Sequence, residues 1–215
     1  MSHPTIAALR SLVDARFPTS VRKPAGGVST GVLAVDTALC DGLPAGCLTE
    51  LVSAEPGSGG QSVLTQLLIT TRRARQRVAL IDAADGLAPE TLPADALRHL
   101  VWVRPRHLSE ALAVADVLVR DGNYAVVVLD LRGLERRALL SIPKGQWHRL
   151  HRAAESRPGA VLVQTAFALV PAVPWRLILE TSRGLAARRL PHEALLAQLN
   201  VERARGHAPR EALAG

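Results

Sequence analysis

Residues Glu55-Pro-Gly-Ser-Gly-Gly-Gln-Ser62 have the composition of a phosphate-binding loop. In the consensus G-x-x-x-x-G-K-[ST], glycines let backbone N–H groups curl around phosphates, the lysine reaches the β/γ-phosphates and the hydroxyl holds Mg²⁺. Gly57, Gly59, Gly60 and Ser62 keep the loop shape. Glu55 stands where the first consensus glycine belongs, and Gln61 where the lysine belongs. A glutamine retains hydrogen-bonding capacity without positive charge, and Glu55 sets a negative charge beside the phosphate position. Taken alone the loop is a weak signal, and a bare glycine-rich turn explains it better.

The elements around the loop give it a place. Cys47 to Ser53 reads as a strand before it and Ser62 to Arg75 as a helix after it, the setting in which a helix N-terminus attracts anions. Further strands are expected at Arg77 to Asp82, Leu100 to Arg104, Tyr124 to Asp130 and Gly159 to Gln164. Helices are expected at His107 to Asp121, closed by Gly122, and at Gln146 to Ser156. The apolar run Tyr-Ala-Val-Val-Val-Leu-Asp130 suits a strand buried on both faces. This alternation predicts an α/β fold with a mostly parallel central sheet flanked by helices. Trp175 to Thr181 and Leu195 to Arg203 read as strands with no long helix between them, hence an antiparallel C-terminal extension. At the N-terminus, Pro4 to Phe17 has helical spacing of apolar residues, Pro18 to Val28 reads as a linker, and Ala204 to Gly215 as a disordered tail.

With 215 residues the chain fits one domain with a substantial core. Its net charge of +7 comes almost entirely from arginine, lysine appearing only as Lys23 and Lys144. Such a surface favours polyanions. Arg72, Arg73, Arg75 and Arg77 are the candidate nucleic-acid contact, although solvated cations closing a helix C-terminus are the better explanation of the run. Cys40 and Cys47 match no zinc spacing and no disulfide framework, and no metal site is expected. The uncharged stretch Gly159 to Trp175 is shorter than a membrane helix and holds Gln164, Pro171 and Pro174. No membrane association and a cytoplasmic location are expected.

The phrase Ser29-Thr-Gly-Val-Leu-Ala-Val-Asp-Thr-Ala-Leu39, then Gly42-Leu-Pro-Ala-Gly46 and Thr49-Glu-Leu-Val52, leads directly into the loop. This order resembles the start of the RecA ATPase core, and the resemblance continues through Leu80-Ile-Asp-Ala-Ala-Asp85, Val126 to Asp130 and Val161 to Gln164. It spans Val28 to Val201 and implies a RecA-like core over residues 29–203 with a degenerate P-loop. By this resemblance Asp130 matches the Walker B acid and Gln164 the γ-phosphate-sensing glutamine, both now vestigial. The general-base glutamate position holds Ala84, with Asp85 as its neighbour. Lysine and glutamate are therefore missing together. No catalytic residue is assigned, and ATP and Mg²⁺ are not expected as cofactors. The family's second DNA-binding loop would be the short, apolar Thr165 to Pro174.

Thr49-Glu-Leu-Val, Arg77-Val-Ala-Leu-Ile, Leu100-Val-Trp-Val-Arg-Pro105 and Ser109-Glu-Ala-Leu112 resemble the ImuA-type RecA paralogues. That resemblance implies a non-catalytic accessory protein in the SOS response. It would support translesion synthesis by binding RecA and an ImuB-like polymerase-related protein, with DNA reached directly or through those partners. A residual ATP-binding or ATPase switch using Asp85 and Asp130, and a SulA-like cell-division inhibitor, stand as alternatives. The oligomeric state stays open.

Overall fold

The computed structural model of the protein describes residues 26–55, 57–180, 183–184, 187 and 189–204. The expected helix at Pro4 to Phe17, the linker up to residue 25 and the tail after Ala204 lie outside the described residues.

Seven strands form one sheet: β1 (Leu48–Val52), β2 (Val78–Asp82), β3 (Leu100–Val103), β4 (Val126–Asp130), β5 (Ala160–Thr165), β6 (Trp175–Leu179) and β7 (Val201–Ala204). Their spatial order is β3-β2-β4-β5-β1-β6-β7. Every pairing is parallel except that of β6 with β7. β1, β2, β4 and β5 are buried along their whole length; β2 and β4 are unbroken apolar runs up to a terminal aspartate, whereas β1 also buries Thr49 and Glu50.

On one face lie α1 (Leu33–Ala38) and α2 (Gly60–Arg73), whose Val63, Leu64, Leu67 and Leu68 form one stripe at helical spacing. The other face carries α3 (Leu108–Asp121), α4 (Arg136–Leu140) and α5 (Lys144–Glu155), which bury Ala111, Ala115, Leu139, Trp147 and Leu150. The phrase ahead of the loop has a structural role. Asp36 accepts from the Thr30 N–H at 2.8 Å, the Thr30 hydroxyl at 2.6 Å and the Ser29 hydroxyl at 2.7 Å, which fixes the turn into α1.

Three sequence expectations need correction. Leu195 to Arg203 is not one strand: α6 (His192–Ala197) takes its first part, and β7 begins only at Val201. Pro191 sets the helix entry at φ −56°, and Glu, Ala and Leu after it are strong helix formers. The linker does not reach Val28, which is buried and bridges Leu43. Ala204 belongs to β7 and not to the tail. Among the described residues no helix is long and apolar enough to cross a membrane.

Candidate functional site

The carboxyl ends of β2, β4 and β5 set three polar residues in a row, because register pairs Asp82 with Asp130 and Asp130 with Gln164. All three are buried. The glycine-rich loop leaves β1 beside them and enters α2, so one cavity of about 810 Å³ is bounded by the loop, Asp130 and the residues after β4 and β6. Ligands of open parallel sheets bind in such crevices beyond the strand ends.

Gly59 caps α2 at φ 107°, a left-handed conformation that disfavours side chains. A Cβ on Gly60 would come within 2.5 Å of both the Arg132 guanidinium and the Ser53 hydroxyl. That close approach explains the second glycine and introduces the residue that dominates the site.

Arg132 stands two residues beyond Asp130 and folds back over it. Its Nε donates to Asp130 Oδ1 at 2.9 Å and its Nη2 to Oδ2 at 2.5 Å, while Nη2 also donates to Gln61 Oε1 at 3.1 Å. The Asp130 side chain is 8% exposed and that of Arg132 21%. A bidentate arginine–carboxylate pair with so little water around it is among the stronger polar contacts a protein makes. The guanidinium thus joins the end of β4 to the start of α2. Sequence reasoning did not single out Arg132, which reaches Asp130 because the chain turns directly after β4 and the Arg132 N–H also donates to Asp130 Oδ1 at 3.1 Å.

A second arginine also lines the cavity. Arg183 Nη2 donates to the Leu195 carbonyl at 2.5 Å, its Nε is buried without a hydrogen-bond partner, and burial pushes its pKa down. Its backbone lies against Gly57, and Leu199 packs on Gly59, so the chain after β6 crosses the loop. Ser53 Oγ, Gln61 Nε2 and Gln164 Oε1 are likewise buried without partners. Gln164 Nε2 reaches the Gly60 carbonyl at 3.4 Å. Glu55 is exposed at the rim, and Ser62 also lines the cavity.

Other sequence candidates fall elsewhere. Asp82 accepts from the Gly86 and Leu87 N–H groups and from Trp102 Nε1, holding the turn after β2. That turn leaves Ala84 on the cavity wall and sends Asp85 outward to Arg104 at 3.5 Å. Arg72 forks onto Asp95 with two 3.0 Å bonds, whereas Arg73, Arg75 and Arg77 are exposed at the far end of α2. The segment after β5 is tied down by a residue the sequence reading passed over. Glu50, fully buried on β1, accepts from the Leu169 N–H at 2.7 Å and the Val170 N–H at 3.0 Å. It also accepts from Thr165 Oγ1 at 3.2 Å and Arg176 Nε at 2.6 Å. Cys40 and Cys47 are free, and no metal-holding cluster occurs among the described residues.

The sheet order, the loop and the acid at the end of β4 meet in the comparison with known proteins. Residues 16–139 match the RecA N-terminal domain family. The chain belongs to that family. Protein RecA of Clavibacter michiganensis subsp. michiganensis is 36% identical over 120 residues, 54% of this chain and 32% of that protein. Protein RecA of Rubrobacter xylanophilus is 36% identical over 107 residues, 48% of this chain and 30% of its own length. Protein RecA of Mycobacterium marinum is 35% identical over 138 residues, 62% of this chain and 39% of its own length. The chain therefore matches under two fifths of the length of these curated RecA relatives.

Within this RecA-family core the side chains at the end of β4 and the start of α2 are already engaged with one another. Both Asp130 oxygens are engaged by Arg132, so a cation near them would first have to displace a guanidinium. Gln61 supplies no charge at the lysine position and is itself bonded to Arg132.

Proposed function

We propose that this chain is a non-catalytic RecA-like accessory protein of the DNA-damage response, of the ImuA type. It supports translesion synthesis by binding RecA and an ImuB-like partner in the cytoplasm. The observation that carries the non-catalytic part is Arg132 bridging Asp130 and Gln61 where a magnesium phosphate would have to sit. Positioned charges and general bases are each worth about 10²-fold or more in rate. The absence of a lysine at Gln61 and of a glutamate at Ala84 therefore weighs heavily against turnover. The accessory part rests on the ImuA-like phrases in a retained RecA-family core.

The test is a titration of the full chain with a fluorescent ATP analogue and Mg²⁺, beside Gln61→Lys and Gln61→Lys/Arg132→Ala variants. No saturable binding by the unchanged protein up to millimolar nucleotide, with binding gained in the double variant, is expected. Micromolar binding by the unchanged protein would reject the reading. Capture of RecA and of the ImuB-like protein on the immobilised chain tests the partners, and retention of neither at micromolar concentration rejects them. The cell-division-inhibitor alternative differs in partner and not in site, so the same capture separates the two.

One observation favours a second reading, a nucleotide-sensing switch without turnover. Ser53 Oγ, Gln61 Nε2, Gln164 Oε1 and Arg183 Nε are buried polar atoms without partners around one cavity. The same titration decides between the readings.

A further inference from the structure

A second concave site lies on the face of the sheet opposite α2. It is a groove of about 450 Å³ between α3 and α5, lined by Arg120, Gly145, His148, Arg149, Arg152 and Ala153. On α5 the buried positions Trp147, Leu150, Ala153 and Ala154 face the core, and His148, Arg149 and Arg152 are exposed. Asp116 on α3 pairs with two of the lining arginines. Its Oδ2 accepts from Arg120 Nε at 3.1 Å and lies 3.3 Å from Arg149 Nη2. One carboxylate thus orients two guanidiniums, and Arg152 and His148 have no ion pair among the described residues.

We propose that this groove binds the phosphate backbone of duplex nucleic acid. Three arginines and a histidine converge on it, and no carboxylate belongs to its lining. Helix capping accounts for Arg120 and Arg152 singly, each being in a last turn, but not for Arg149 or for their shared concavity. An acidic protein partner would need an apolar or aromatic anchor, which the groove lacks. Backbone phosphates need only charge and donors, which arginine forks supply. Without an aromatic platform to stack unpaired bases the site suits a duplex, read without regard to sequence. Lys144 at the start of α5 and Arg157 just past its end, both exposed, extend the cationic track. Twelve residues of helix make that track about 18 Å long. The inference is independent of the accessory reading, which needs no direct contact with DNA.

The experiment is fluorescence anisotropy of a labelled mixed-sequence duplex with the full chain across a salt series. Three arginines each neutralising one phosphate give a log–log slope of about −2.7, or roughly 40-fold weaker binding between about 50 and 200 mM salt. Arg149→Ala/Arg152→Ala should bring the slope to about −0.9, and Arg73→Ala/Arg75→Ala should leave it unchanged. Thermal unfolding of each variant confirms that it is folded, and Arg152→Ala alone, which breaks no ion pair, serves if the double variant is not. An unchanged slope in the groove variants overturns the proposal. So does loss of binding in the Arg73/Arg75 variant alone, or no binding at low salt. Tighter binding of a single strand, or equal competition by polyglutamate, overturns the choice of duplex backbone.

Discussion

Replacing Arg176 by Met tests what holds the segment after β5. Methionine keeps most of the alkyl stem and removes the cation. Glu50, with none of its side chain exposed, would then keep only neutral donors: the Leu169 and Val170 N–H groups and the Thr165 hydroxyl. Removing one partner of a buried pair costs about 3–5 kcal/mol, because the remaining charge is uncompensated. Arg176 is 25% exposed, so water can enter from its side and the lower half of that range applies. The lost bond from Arg176 Nη2 to the Val170 carbonyl, 2.6 Å long, adds about 1 kcal/mol. Against a total stability of about 5–15 kcal/mol this is a large fraction. Urea unfolding followed by tryptophan fluorescence should show the midpoint falling by about 1.3–2.5 M for slopes of about 2–3 kcal/mol/M. Glu50→Gln/Arg176→Met removes both charges and should recover about half of the loss. A loss below about 1 kcal/mol in Arg176→Met would refute the reasoning, since it would mean that Glu50 is solvated without its arginine.

Trp147, 3% exposed on the inner side of α5, should cost about 3–5 kcal/mol as Trp147→Ala in the same urea assay. Gly59→Ala forces a side chain into φ 107° against Leu199 and should lose at least about 1 kcal/mol, read as a lowered melting temperature. His99 and His192 both have pKa values pushed down chiefly by burial, with Arg72 adding to the effect at His99 and Asp95 opposing it. The unfolded chain then binds more protons below about pH 6.5, so this contribution is complete above that value and is lost as pH falls. Unfolding midpoints should drop as pH falls below about 6.5, and His99→Gln/His192→Gln should flatten the drop.

The parallel sheet was legible because β2, β4 and β5 are apolar up to their polar carboxyl ends, a pattern suited to strands covered on both sides. Gly122 as the close of α3 was legible for a similar local reason, the left-handed turn at φ 72°. α1 and α4, at six and five residues, are too short to show a helical period. Leu195 to Asn200 misled because a short apolar run reads alike as strand or helix. At the site, the loop and Asp130 could be placed from local order, but Arg183 and Glu50 act across long sequence separations, Glu50 meeting Arg176 only because β1 and β6 are neighbours. Arg132 was the nearest miss. Its meaning depends on the direction of a side chain that composition does not reveal.

The Arg132 bridge also bears on how this protein could be controlled. In a ligand-operated machine, the end of a central strand and the start of the neighbouring helix are joined by something that comes and goes with solute concentration. Here an encoded side chain joins β4 to α2, and the joint is as permanent as the gene. On the proposed non-catalytic reading, a fold wired in this way has no need to wait for a small molecule to adopt its working shape. Its output then follows how much of it is made and how fast it is removed, so regulation moves from chemistry inside the molecule to synthesis and turnover outside it.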